Sequence, residues 1–200
     1  MTVKHKHPDI YPMYFCSFTC HRWINLFEIT NSYDCVYKWF AYLKTKNIDV
    51  IAYVIMPNHL HCILYFQEIP FNLNKVIGNA KRFMAYEIIK RLDELNQPDL
   101  LTLLNEDVNE REAVKGQKHK AFEKSFDAKA VFTDHFLQQK MDYIHFNPVR
   151  GKWNLAEDYT RYKHSSASFY ERGEVFHFEP VHYKDVKRAG QAGSRGGDPA

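Results

Sequence analysis

Met56-Pro57-Asn58-His59-Leu60-His61-Cys62-Ile63-Leu64-Tyr65 sets two histidines, one apolar residue apart, at the head of a run of strand formers. In a strand, residues i and i+2 point to the same face. His59 and His61 therefore aim two imidazoles at one point, while Leu60 and Cys62 turn the other way into a core. Two neutral imidazoles on a rigid strand are half of a metal site. The same pattern also describes a solvated strand face, so the pair alone decides nothing.

Working outward, Pro57-Asn58 reads as a tight turn. Residues 48–56 before it, Ile-Asp-Val-Ile-Ala-Tyr-Val-Ile-Met, read as a strand, and residues 59–66 as its antiparallel partner, because the link is too short for a crossover. Residues 14–20 read as a first strand. Residues 33–46 read as a helix on the spacing of Val36, Phe40 and Leu43. Residues 72–92 read as a long helix capped by Asn72 or Asn74, with Leu73, Val76, Ile77, Ala80, Met84, Ile88 and Leu92 on its apolar face. A last core strand is expected within 121–132. A helix over 134–147, capped by Thr133 or Asp134, follows, and a short helix packed by Tyr162, Phe169 and Tyr170 is expected within 155–170. This order predicts an α+β fold: a ferredoxin-like (RRM-like) plait with helices packed on an antiparallel sheet.

The helix over 134–147 carries the second informative stretch, Asp142-Tyr143-Ile144-His145-Phe146-Asn147-Pro148-Val149-Arg150. Tyr143 and Asn147 are i and i+4 and share a helical face. His145 is i+2 from Tyr143 and points elsewhere. An Asn before Pro is also a common helix end, since the residue before proline avoids the α region. A capping role for the Asn147 amide therefore stands beside a ligand role.

These blocks carry a resemblance. Val54-Ile55-Met56-Pro57-Asn58-His59-Leu60-His61-Cys62 resembles the HUH motif of single-tyrosine transposases. Tyr143-Ile144-His145-Phe146-Asn147-Pro148-Val149-Arg150 resembles the catalytic-helix signature of the REP-associated tyrosine transposases. Weaker similarity extends over roughly residues 14–170, including Phe122 to Lys129 and His164 to Ala167. The resemblance implies a metal-dependent endonuclease and strand transferase acting on single-stranded, hairpin-forming DNA through a 5′-phosphotyrosine link. It implies His59 and His61 as metal ligands, Tyr143 as the nucleophile, and Asn147 where insertion-sequence relatives carry a ligating Gln. Two imidazoles and an amide oxygen leave open positions for phosphate oxygens and suit Mg²⁺ or Mn²⁺; a closed structural zinc site has four protein ligands. A phenol with a pKa of about 10 is a weak nucleophile at neutral pH, so an activating group is expected.

Two hundred residues fit one domain over 1–188, with a Gly-rich tail at 189–200 expected to be disordered. Residues 94–120 turn polar, apart from Leu100, Leu101, Leu103 and Leu104, and read as a long mobile insertion. The net charge is only +3, so DNA binding needs clustered cations. Candidates are Lys75, Arg82 and Tyr86 on one helix face, and Lys115, Lys118 and Lys120 in the insertion; an ordinary solvated surface is the rival reading. The 13 Tyr and 15 Phe serve a core or stack on unpaired bases. Cys16, Cys20, Cys35 and Cys62 lack Cys-x-x-Cys spacing and read as reduced thiols of a cytoplasmic protein. No signal peptide or membrane span is visible. A homodimer is left open. The rival functional readings are a non-cleaving binder of hairpin DNA and an RNA-binding plait. The intact His59, His61 and Tyr143 argue against the first, and the second lacks an aromatic RNP-type strand.

Overall fold

The computed structural model describes residues 11–186; the tail expected at 189–200 lies outside the described residues. Strands β1 (Met13–Thr19), β2 (Ile48–Met56), β3 (His59–Phe66) and β4 (Asp127–Ala130) form one antiparallel sheet in the order β2-β3-β1-β4. Helices α1 (Leu26–Ile29) and α2 (Tyr33–Lys44) connect β1 to β2, and α3 (Leu73–Glu94), α4 (Pro98–Glu106) and α5 (Glu110–Ala113) lie between β3 and β4. Helix α6 (Asp134–Phe146) follows β4, and α7 (Ala167–Arg172) comes last. This is the split β-α-β plait expected from the sequence.

All of β3 is buried, because both sheet faces are covered. Leu60, Cys62, Leu64 and Phe66 pack with Val36 and Phe40 of α2 and with Ile77, Met84 and Ile88 of α3. On the opposite face Ile63 and Tyr65 pack with Leu137, Met141 and Ile144 of α6. The period of two along β3 thus divides the molecule into an α2/α3 layer and an α6 layer, and His59 and His61 share the α6 side.

The outer edge of β2 is covered by the C-terminal segment. Ile55 N donates to His164 O at 2.8 Å, Ser166 N to Tyr53 O at 2.9 Å, and Val181 N to Val50 O at 2.9 Å. The Tyr162 and Tyr170 hydroxyls donate to the Ile55 and Ile51 carbonyls. These bonds satisfy an edge that would otherwise offer unpaired groups.

Two expectations need correction. Residues 94–120 are not one long loop: they fold into α4 and α5, with Leu104 fully buried and Lys120 N bonded back to Leu104 O at 2.8 Å. The apolar residues Leu100, Leu101, Leu103 and Leu104 are α4's contact with the core. The chain also does not leave the helical region before Pro148. Asn147 sits at φ −53°, ψ −42°, and Asn147–Val149 continue α6 as a 3-10 turn. Pro148 is tolerated there because the first turn of a helix needs no donor from it.

Candidate functional site

His59 opens β3 directly after the Pro57-Asn58 turn, and the two-residue period brings His61 beside it, with ring centroids 4.7 Å apart. Helix α6 lies over this end of the strand, and the Tyr143 ring is 5.0 Å from that of His61. The side chain of Asn147 lies close enough to His59 to influence its protonation. All four residues singled out in the sequence therefore meet. Tyr143 is 42% exposed, whereas the two histidines are buried.

Burial sets the histidines' charge. It lowers the His59 pKa to about 4, against a smaller upward effect of the nearby Asn147 side chain. Burial, and then the charges of His59 and Lys140, hold His61 well below its ordinary value. Both rings are neutral at pH 7, so each has a lone pair to offer without first losing a proton.

The tautomer of His59 follows from its neighbours. Asn58 Nδ2 donates to the acceptor-only Trp23 carbonyl at 2.8 Å, which turns Asn58 Oδ1 towards His59 Nδ1 at 2.7 Å. Nδ1 must then carry the proton, leaving the Nε2 lone pair for a ligand. His61 Nδ1, by contrast, is buried with no hydrogen-bond partner. Such an orphan is costly in a packed interior. Two neutral imidazoles, one with an unpaired buried nitrogen, together with an amide, fit an open-sided divalent ion site. Among the described residues no group of three or more His, Cys, Asp or Glu forms a metal cluster, so an amide or the substrate itself must complete any shell.

Several residues at the site were not read from the sequence. Phe15 of β1 stacks on His61 at 5.6 Å and meets Tyr143 edge-on at 6.0 Å. The rings of Trp23 and Trp153 lie 5.8 and 6.3 Å from His59. Lys140, one turn before Tyr143, places its ammonium 5.5 Å from the Tyr143 ring centre. Its i−3 spacing from Tyr143 was the available signal; Trp23 had none, since it reaches the site through consecutive positive φ angles at Arg22 (51°) and Trp23 (59°). His145 points away, as its spacing predicts: it is buried and bonded to Ser166 Oγ at 3.0 Å.

The DNA-binding candidates gather elsewhere. Arg82 and Tyr86 of α3 and Lys115, Lys118 and Lys120 line one groove of about 960 Å³, joined by Arg111 and Lys124. Lys75 is exposed on α3 but outside this lining. The groove belongs to the α3 layer, across the sheet from Tyr143. Among the described residues Arg82, Lys115 and Lys118 make no ion pair. Buried Lys81 shapes the groove wall: its ammonium donates to the Glu123 carbonyl and, at 3.3 and 3.4 Å, to those of Lys124 and Ser125.

No protein-family model matches the sequence, and no curated protein matches it. Among solved structures, the fold is similar to that of a REP-associated tyrosine transposase solved bound to a REP hairpin. That similarity has a TM-score of 0.55 at 17% sequence identity, over 94% of this chain and 99% of the other. A candidate transposase from Deinococcus radiodurans R1 is similar at a TM-score of 0.42 and 13% identity, over 72% of this chain and 95% of that one. The chain has the fold of a REP-associated tyrosine transposase. None of the helices described is long and apolar enough to cross a membrane. Cys16, Cys20, Cys35 and Cys62 are free thiols, and all but Cys35 are buried.

Proposed function

We propose that this protein is an HUH-type endonuclease and strand transferase that cuts single-stranded DNA beside a hairpin through Tyr143. The observation that carries the reading is the convergence of His59, His61, Tyr143 and Asn147 at one mouth between β3 and α6. A pure binding module needs no such set. The solved structure of similar fold holds a REP hairpin, which supports hairpin DNA as the partner class.

In this reading the Tyr143 phenol oxygen attacks the scissile phosphorus and the bond to the 3′ oxygen breaks. The phenolic proton passes to the solvent or to the leaving oxygen, giving a free 3′-OH and a 5′-phosphotyrosine. The link keeps the phosphodiester's energy, so a 3′-OH can reverse the step and join strands without ATP. His59, His61 and Asn147 would hold Mg²⁺ or Mn²⁺, which when bound acts as a Lewis acid on the phosphate. Phe15 fixes the Tyr143 ring from the side, and the partial exposure of Tyr143 leaves it open to a substrate from solvent. The groove lined by Arg82, Tyr86, Lys115, Lys118 and Lys120 would hold phosphates of the hairpin stem, with exposed Lys75 an outlying contact on the same helix.

The test is a covalent-adduct assay with labelled hairpin DNA and Mn²⁺. The wild type should give a protein–DNA band that resists denaturant. Tyr143→Phe should give none, while its affinity for DNA stays within a few-fold. Adduct from Tyr143→Phe removes that residue from the chemistry. Tight hairpin binding with no adduct from the wild type would leave a non-cleaving hairpin binder.

A further inference from the structure

The face of α6 that ends at Tyr143 and Asn147 starts well outside the site. Phe136, Lys140, Tyr143 and Asn147 follow one another at steps of four, three and four residues, which keeps them on one side of α6, and Phe132, just before the helix, is joined to them by its ring contact with Phe136. The core accounts for only part of this stripe: Phe136 touches it with one side, and Phe132 is not part of it. The core-facing side of α6 is Leu137, Met141, Ile144 and His145, all buried, whereas Phe132 is 69% exposed and Phe136 half-buried. The rings of Phe132 and Phe136 lie 6.5 Å apart and within 23° of parallel, and Tyr11 adds a third ring 5.7 Å from Phe132.

Lys140 sits in the middle of the stripe. Its ammonium lies 4.9 Å from the ring centre of Phe15, 5.2 Å from that of Phe136 and 5.5 Å from that of Tyr143. Lys129 on β4 is close enough for its charge to act on Lys140. Among the described residues neither lysine has a carboxylate in ion-pair range. An exposed row of aromatic faces with unpaired cations beside it matches a chain of unpaired bases on a polyanionic backbone. A duplex, whose bases are stacked on each other, has no free faces to offer it.

We propose that this stripe is a stacking track for single-stranded DNA: Phe132 and Phe136, with Tyr11, take bases, and Lys140 takes a phosphate next to the one that meets Tyr143. From Phe136 to Tyr143 is seven residues, about 10 Å along the helix, and Phe132 extends the row beyond its start, room for a few nucleotides. The track ends at the reacting residue, on the α6 layer, while the cationic groove lies on the α3 layer. Stem and single strand thus have separate surfaces. The inference rests on the reading that Tyr143 meets a DNA phosphate.

The experiment uses the full chain carrying Tyr143→Phe and two hairpins, one blunt and one with a single-stranded extension bearing 2-aminopurine at successive positions. The extended hairpin should show quenching at particular extension positions. Phe132→Ala should abolish part of it and weaken the extended hairpin at least about fivefold, leaving the blunt hairpin unchanged. Phe132 is mostly exposed, so its truncation leaves no core cavity. Phe136→Leu, with a thermal melt, gives an independent second reading. Lys140→Gln should lower the salt dependence of extended-hairpin binding by about one phosphate contact. The track is overturned if both ring variants bind the extended hairpin like the parent, or if they weaken both hairpins equally. The adduct assay separates this from the cleavage reading. Ring-dependent binding by a protein that forms no adduct keeps the track and removes the chemistry; adduct with ring-independent binding does the reverse.

Discussion

His59 and His61 are kept neutral by desolvation. An exposed pair would titrate near pH 6.5; burial keeps these two neutral well into acid. Asn58 then fixes which nitrogen of His59 carries the proton, and Asn147 meets the ring from α6. The side chain of Asn147 lies near His59, which favours a ligand role over the capping role that Pro148 made plausible. Asn147→Ala should accordingly raise the Mn²⁺ concentration needed for cleavage, and Asn147→Gln or Asp should recover part of the loss, with melting temperatures little changed. If Ala and Gln instead lower stability alike and leave the metal dependence untouched, Asn147 is a cap. The four central residues were legible because two local periods, two in the strand and four in the helix, aim them in pairs. Asn58 was readable only as a turn residue. Its second role depends on Trp23, thirty-five positions away, and no local pattern encodes that contact.

Elements follow the same division between local and distant causes. The start of α3 offered two candidate caps. Asn72 is the one used: its side chain accepts from Lys75 N at 2.8 Å, while Asn74 lies inside the helix with its Oδ1 buried and without a hydrogen-bond partner. Asn72→Ala should therefore cost about 1 kcal/mol, read as a lower urea midpoint, and Asn74→Ala should cost less or stabilise. The reverse ranking would refute the assignment. Thr133 caps α6 in the same way, accepting from Phe136 N at 3.1 Å. Strong local signals of this kind put the main strands and α2, α3 and α6 within a few residues of where they lie. Residues 94–120 were misread because their polar composition masks two short helices. Leu104 holds α4 to the core, and a capping box of Asn109 with Glu112 starts α5. A helix of four residues is too short for periodicity to register.

At the scale of the whole molecule, one sheet separates two surfaces and buries the histidines that join them to pH. His59, His145 and His164 are each lowered to about 4, chiefly by burial, and His61 lies well below its ordinary value for the same reason. Between about pH 6.5 and 4 the unfolded chain binds protons that the folded chain refuses, so stability is full above pH 6.5 and falls as acid is added. The urea midpoint should drop across that window, and His164→Gln, outside the site, should flatten the drop; a level midpoint from 6.5 to 4 would contradict the burial argument. The two surfaces make the other molecular prediction. A net charge of +3 is too small to hold DNA by itself, but Arg82, Lys115 and Lys118 concentrate unpaired charge in one groove. Each phosphate neutralised there releases counterions, so log affinity should fall with log salt by roughly 0.9 per contact on duplex. Replacing Lys115 and Lys118 together by Gln should reduce that slope for a blunt hairpin by roughly 2. The maximal rate of adduct formation at saturating DNA should not change, because both lysines lie across the sheet from Tyr143. Anisotropy titrations at several salt concentrations read the slope, and an unchanged slope would take the groove out of DNA binding while leaving the histidine–tyrosine site untouched.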